Sequence, residues 1–146
     1  MTTLADAVGL AASESGLAVV STVRGDGTVQ ASLVNAGAFP HPATGEETLA
    51  FVTYGRVKLA NLRARPQTAV TFRAGWQWAT VEGTAELAGP DDPRPWLTGD
   101  ALRLLLRDVF VAAGGNHDDW AEYDRVMAEQ RRTVVLIAPS RVYSNG

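Results

Sequence analysis

The fold is decided by residues 17–36, LAVVSTVRGDGTVQASLVNA, which we expect to form a β-hairpin. Leu17–Arg24 is apolar and rich in β-branched residues, and Thr28–Ala36 alternates in side-chain type, so each run has the pattern of a strand. Between them, Asp26-Gly27 is the strongest short signal for a hairpin, because both residues tolerate the positive φ that a tight turn requires. We therefore expect the two strands to be antiparallel neighbours.

The second strand of this hairpin has two unlike faces, because side chains alternate between the faces of a strand. One face carries the apolar residues Val29, Ala31 and Leu33. The other face carries Gln30, Ser32 and Val34, of which two are polar. We expect this second face to form one wall of a binding site.

The rest of the chain shows a series of strand and helix patterns separated by Gly and Pro. Further strands are expected at Thr48–Thr53, Thr68–Ala74, Trp76–Leu87 and Thr133–Tyr143. Helices are expected at residues 3–15, from Tyr54-Gly55 to Arg65, at residues 95–112 and after an N-cap at Asn116, and residues 37–47 have the composition of a loop. Because most neighbouring strands are joined by hairpins, the order indicates a mainly β fold, a six-stranded antiparallel barrel with flanking helices. The length suits a single domain over residues 1–146.

Composition and charge argue against several classes of protein. The net charge is −3 and the arginines are scattered, so we expect no nucleic-acid partner. No apolar run approaches the roughly 20 residues of a membrane span, and the first residues lack the pattern of a signal peptide. With no cysteines, the chain has neither disulfides nor thiolate chemistry, which fits a cytoplasmic location. His41 and His117 lie in no triad or metal-ligand spacing, so we expect no metal site.

The segment Arg56-Val57-Lys58 lies where a predicted strand runs into a predicted helix. Lys58 is the only lysine among 13 basic residues. Free backbone N–H groups and the helix dipole favour an anion at such a position, and both cations can bind phosphate oxygens. The pattern indicates a phosphate site, with a pair of solvated cations as the alternative.

Taken together, these segments resemble the pyridoxamine 5'-phosphate oxidase-like split-barrel superfamily, in particular its deazaflavin (coenzyme F420)-dependent oxidoreductases. The segments that carry the resemblance are 17–23, the turn at 26–27 with 30–35, 56–62 before Pro66, and 78–87. They follow the family order and span most of the chain. The resemblance implies an FMN-binding split barrel-like fold and a homodimer with cofactor sites at the subunit interface.

The resemblance also implies which residues hold the cofactor. Arg56 and Lys58 would bind its phosphate, with Thr53 and Val57 lining the same pocket. Its tricyclic ring would be flanked by Gln30, Ser32, Val34 and Asn35. The site would be completed by Trp76, Gln77, Trp78 and Ala79 of the partner subunit.

The implied chemistry is hydride transfer from reduced F420 to a small conjugated or aromatic acceptor, which needs no dedicated catalytic acid or base. An FMN-binding oxidoreductase of the same fold is one alternative, and a non-catalytic protein that carries a cofactor or tetrapyrrole is another. The oxidases that act on pyridoxamine phosphate have a longer C-terminal segment with Arg and His residues, so we do not expect that substrate.

Two groups of residues keep more than one interpretation. Trp76 and Trp78 share a strand face and can either stack on the cofactor ring or pack in the dimer core. A second group of cations can either steer an acidic cofactor tail or be solvated, and it consists of Arg63, Arg65, Arg131 and Arg132.

Overall fold

Six strands form a closed antiparallel barrel in the computed structural model, which describes residues 1–146. In chain order they are β1 (Leu17–Val23), β2 (Val29–Pro40), β3 (Glu47–Thr53), β4 (Gln67–Ala74), β5 (Gln77–Ala88) and β6 (Thr133–Ser144). Around the barrel the order is β1-β2-β3-β6-β5-β4, and β1 closes it by pairing with both β2 and β4. The predicted six-stranded antiparallel barrel with flanking helices is confirmed.

The helices are α1 (Leu4–Leu10), α2 (Arg56–Ala64), α3 (Ala101–Ala112) and α4 (Trp120–Glu129). The helix predicted over residues 3–15 is too long, because α1 ends at Leu10 and a short 3-10 turn follows. α3 begins at Ala101 rather than at residue 95, since Gly99 has a φ of 57°, outside the helical region. The N-cap of α4 is Asp119 rather than Asn116. None of the four helices is long and apolar enough to cross a membrane.

β2 is longer than predicted, and the prediction of a loop over residues 37–47 is wrong in its first part. Gly37–Pro40 continues the strand and pairs with β3. Gly37 is required there, because an added Cβ would lie 2.1 Å from the backbone oxygen of Ala112, where the end of α3 rests on β2. Pro40 is tolerated because it is the last residue of the strand. Both residues serve packing and strand termination rather than a turn.

Two apolar cores hold the elements together. The first fills the barrel with side chains such as Val20, Phe51 and Phe72, and α1 and α2 add Ala7 and Leu62 to it. The second lies outside the barrel, where α3 and α4 pack on β3 and β6, and includes Leu105, Val109, Tyr123, Val134 and Leu136. α3 and α4 therefore cover one outer side of the barrel.

The opposite outer side has a surface that we call the open face. It is defined by a row of registered residues across five strands, Leu33, Val19, Thr71, Thr80 and Tyr143. Leu33 is 62% exposed and Val19 is 43% exposed, so no helix covers the β2 and β1 part of this row. Apolar β-sheet surface left in water is typical of a face that meets another protein surface.

Candidate functional site

Arg56-Val57-Lys58 lies at one end of the barrel, where β3 ends and α2 begins. Gly55 is the N-cap of α2 and no side chain caps the helix. The first backbone N–H groups of α2 therefore have no side-chain acceptor, which is the arrangement that favours an anion at a helix start. The predicted position of the strand end and of the helix start is correct.

Lys58 is the only charged side chain among the buried residues, with 6% of its surface exposed. Its Nζ donates to Thr53 Oγ1 at 3.2 Å and lies 5.8 Å from the centre of the Phe51 ring. Burial, followed by the charge of Arg132, lowers the pKa of Lys58 below its ordinary value. No carboxylate forms an ion pair with it, although a buried charge is costly unless it is compensated. The site is short of one negative charge.

Arg132 is a second cation without a carboxylate. Its guanidinium carbon lies 3.8 Å from the centre of the Tyr54 ring, and its Nε donates to Gln130 Oε1 at 2.8 Å. Burial is the main cause that lowers the pKa of Arg132. The charge of Arg132 also contributes to the lowered pKa of Lys58, so the two cations lie at the same end of the barrel.

The other three arginines grouped with Arg132 in the sequence are already engaged. Arg63 donates to both carboxylate oxygens of Asp92, and Arg131 forms an ion pair with Asp91 at 2.5 Å. Arg65 Nε donates to the backbone oxygen of Val23. Tertiary contacts decide which arginines find an acidic or carbonyl partner, so no sequence signal could have singled out Arg132.

Arg56 and Val57 both project into solvent. Arg56 is exposed and forms neither an ion pair nor a side-chain hydrogen bond, and Val57 is 52% exposed. Arg56 therefore has all its donors free, one residue inside the N-cap of α2. Together with Lys58 it places two cations at the helix start, one buried and one exposed.

β2 places Gln30, Ser32 and Val34 on the side of the barrel interior, while the apolar face with Leu33 points outward. Gln30 Oε1 accepts a hydrogen bond from Thr22, whose Oγ1 accepts one from Asn61 Nδ2 of α2, each at 3.0 Å. This chain of bonds ties α2 to the hairpin. Asn61 was not predicted as a site residue, since a single Asn in a helix gives no distinctive signal.

Ser32 has a buried Oγ with no hydrogen-bond partner, the only such side-chain atom in the protein. It lies in the half of β2 that pairs with β1 alone, because pairing with β3 begins at Ala36. The second edge of residues 29–35 therefore has no neighbouring strand. Unpaired backbone groups and an orphaned hydroxyl beside α2 are groups that a polar ring can satisfy. Asn35, in the same half, uses its Nδ2 to bind the Ser15 backbone oxygen.

The tryptophan segment lies at the other end of the barrel from Lys58. Trp78 pairs with Arg73 beside the β4–β5 turn, whereas α2 leads into the Gln67–Thr84 pair at the far end of the same strands. Trp76 is 95% exposed and Gln77 is exposed, while Ala79 is buried in the barrel core. Within a single chain these four residues therefore lie away from Arg56-Val57-Lys58.

A cavity of about 320 Å³ lies between the helices and the barrel, and we call it the helix-side cavity. Its apolar lining comes from Val52, Val109, Phe110, Ala113, Tyr123, Val126 and Met127. Its polar lining consists of Asn35, His117, Glu122 and Arg132. No sequence pattern indicated this cavity, because its walls come from β2, β3, α3 and α4. Arg132 connects it to the end of the barrel that holds Lys58.

The two histidines make hydrogen bonds that stabilise loops. Nδ1 of His41 accepts from the backbone N–H groups of Ala43 and Thr44, and its Nε2 lies 2.6 Å from Glu86. Nδ1 of His117 accepts from the Asp119 N–H. No three His, Asp or Glu side chains lie close enough to hold a metal ion.

Comparison with known proteins extends the likeness over nearly the whole chain. The family described as pyridoxamine 5'-phosphate oxidase matches residues 5–146. Among solved structures, a conserved hypothetical protein from Mycobacterium tuberculosis has 20% identity and a TM-score of 0.68, over 99% of this chain and 84% of its own.

Two further structures are proteins with named cofactors. An F420 reductase has 19% identity and a TM-score of 0.58, over 87% of this chain and 88% of its own. A pyridoxamine 5'-phosphate oxidase-related, FMN binding protein from Nostoc punctiforme has 16% identity and a TM-score of 0.60, over 97% and 80%. At these identities the structural likeness shows the fold alone. With the family match running from residue 5 to residue 146, the chain belongs to the pyridoxamine 5'-phosphate oxidase family of split barrels.

Proposed function

We propose that this protein is an oxidoreductase that binds F420 by its phosphate at the start of α2 and reduces a small conjugated or aromatic acceptor. The observation that carries the proposal is Lys58, a buried cation without a counter-charge at an uncapped helix start. A phosphate would supply the missing negative charge. It would accept from Lys58 Nζ, from Arg56 and from the first N–H groups of α2.

The ring of the cofactor is expected along the free edge of β2. Residues 29–35 offer unpaired backbone groups there, and Ser32 offers its orphaned Oγ. When bound, a reduced deazaflavin supplies a hydride, and the protein provides orientation and electrostatics. Buried Val34 would lie beside the ring, and buried Thr53, which accepts from Lys58, would line the phosphate pocket.

A second copy of the chain is expected to complete the site through the open face. A two-fold axis through this face would bring the β4–β5 turn of one protomer towards the α2 end of the other. Trp76, Gln77 and Trp78 of the partner subunit would then reach the cofactor, which explains why Trp76 is 95% exposed in a single chain. Burial of Leu33 and Val19 would supply the apolar part of the interface.

FMN at the same position is the second candidate. Arg56, Lys58 and the start of α2 would bind its phosphate in the same way, and the preference for F420 rests on the resemblance of the four sequence segments. A carrier of a cofactor or tetrapyrrole without turnover is the third.

Equilibrium titration of the cofactor-free protein tests the proposal. We expect F420 to bind more tightly than FMN or haemin, as followed by F420 fluorescence and flavin and haem absorbance. Reduced F420 is then mixed with a panel of quinones and enones, and its reoxidation is followed by absorbance. Tight binding of FMN alone would favour the second candidate. Binding without reoxidation by any acceptor would favour the carrier.

A further inference from the structure

The helix-side cavity has the size of a site for a small molecule. Its volume of about 320 Å³ is at the lower end of the usual range for ligand sites. An apolar cavity of about 150 Å³ is known to hold benzene, so this one has room for one or two fused rings. Its lining includes Val52 on the outer side of β3 and Asn35 at the end of the free edge of β2, where the cofactor ring is expected.

The apolar walls of the cavity favour an aromatic or conjugated ligand. Phe110 and Tyr123 contact each other with ring centres 5.0 Å apart, and His117 lies 5.6 Å from Tyr123. The Tyr123 hydroxyl donates to the Leu106 backbone oxygen and is therefore not available to a ligand. These aromatic rings, together with Val126 and Met127, form a lining that packs well against a planar apolar molecule.

The charges at the cavity favour one acidic group on that ligand. Glu122 is neutralised by a two-pronged ion pair with Arg125. His117 accepts at Nδ1, so its remaining ring N–H, on Nε2, is free to donate. Arg132 uses Nε for Gln130, and its two Nη groups have no carboxylate. The cavity therefore has a net positive charge with free donors.

We propose that the helix-side cavity is the acceptor site, and that the acceptor is a planar aromatic or conjugated acid whose carboxylate or phenolate binds Arg132. This inference rests on the proposed function, because it names the substrate class for that activity. Reduction of such an acceptor would consume the π bond of one conjugated double bond: a hydride from the reduced cofactor would form a C–H bond at one end, a proton from water would bond at the other end, and the cofactor would be left oxidised. Arg132 would hold the acid group, and Phe110 and Tyr123 would hold the ring.

A matched pair of probes tests the site without any cofactor. 2-Naphthoate and 2-naphthamide have the same shape and differ in charge, and isothermal titration calorimetry measures the binding of each. We expect naphthoate to bind at least about tenfold more tightly than naphthamide, as for a charge-assisted hydrogen bond. Arg132→Gln should abolish this preference. Arg131→Gln is the control, because Arg131 is next to Arg132 in the chain but its guanidinium pairs with Asp91 and lies outside the cavity.

Two further measurements locate the site and separate it from the cofactor. Val126→Phe fills the cavity and should abolish binding of both probes, with thermal unfolding recorded to show that the variant is folded. Naphthoate should still bind when F420 is saturating. Equal binding of the two probes, retained binding in folded Val126→Phe, or competition with F420 would each overturn the inference. If the wild-type protein binds naphthoate but does not bind F420, the result would instead contradict the proposed function.

Discussion

Replacing Lys58 by Met should make the cofactor-free protein more stable and cofactor binding weaker. Met keeps the length of the apolar stem inside the barrel end and removes the buried charge. Thr53 Oγ1 is not orphaned by the change, because it still accepts the Gly55 N–H at 3.2 Å. A change of opposite sign in stability and in affinity is what separates a binding residue from a structural one.

The magnitudes follow from the contacts of Lys58. Loss of the hydrogen bond from the charged amine lowers the stability of the variant by about 1.5–3 kcal/mol. Removal of the uncompensated buried ion raises it by several kcal/mol. The balance favours the variant by about 1 kcal/mol, or about 3 °C in Tm for a chain of this size. In the complex, loss of the same kind of bond to a phosphate should weaken binding about 10- to 150-fold.

The pH dependence gives an independent check. Because the pKa of Lys58 is lowered in the folded protein, the unfolded chain binds more protons between the folded and the ordinary value of 10.5. The cost in stability of burying charged Lys58 is complete below the pKa of Lys58 in the folded protein, and it disappears as the pH rises through 10.5. The stability advantage of Lys58→Met over the wild type should therefore shrink towards pH 10.5.

Thermal unfolding by circular dichroism and F420 titration measure both effects. Arg63→Gln is the matched control, since Arg63 lies on the same helix and pairs with Asp92. It should leave cofactor affinity unchanged. If Lys58→Met is less stable than the wild type and binds F420 as tightly, Lys58 is a structural residue and the reasoning is refuted.

Three other predictions concern the dimer, the packing of β2 and the second core. Leu33→Glu on the open face should give a monomer in sedimentation with weakened cofactor binding and an unchanged circular dichroism spectrum; an intact dimer would exclude this face as the interface. Gly37→Ala should destabilise the protein by about 3 kcal/mol or more, because its Cβ meets the Ala112 backbone oxygen at 2.1 Å, whereas Gly9→Ala has open space and should be neutral or stabilising in the same melts. Burial raises the pKa of Tyr123 to about 12, so its contribution to stability is complete below pH 10 and is lost as the pH rises to 12. Tyr123→Phe should reduce the alkaline loss of Tm between pH 10 and 12, and a parallel decline would contradict that assignment.

Local chemistry explains which parts of the fold could be predicted. The turn at Asp26-Gly27 depends only on the few residues that form it, so the hairpin of β1 and β2 could be predicted from the sequence. Gly37–Pro40 was missed because its place in β2 depends on β3 and on the end of α3. The two faces of β2 were separated correctly, but the sequence did not indicate which of them points outward. Apolar Leu33 on the outside is typical of a face that meets another protein surface.

The candidate site divides along the same line. Arg56 and Lys58 were found because a strand end, a helix start and a phosphate site coincide in one short segment. Arg132 was named only as one of four arginines, because the sequence does not show which of them lacks an acidic partner. The helix-side cavity was not predicted, because its walls come from four separate elements. Long-range contacts of this kind leave no periodic trace in the sequence.

The connection between β5 and β6 separates two tasks along the chain. Residues 89–132 contain α3, α4 and most walls of the helix-side cavity, while the phosphate segment belongs to β3 and α2. Replacement of that one connection by the corresponding stretch of another split barrel would change the shape of the proposed acceptor site and leave Arg56-Val57-Lys58 in place. If the proposals are correct, such a graft is a direct way to change the acceptor without changing the cofactor.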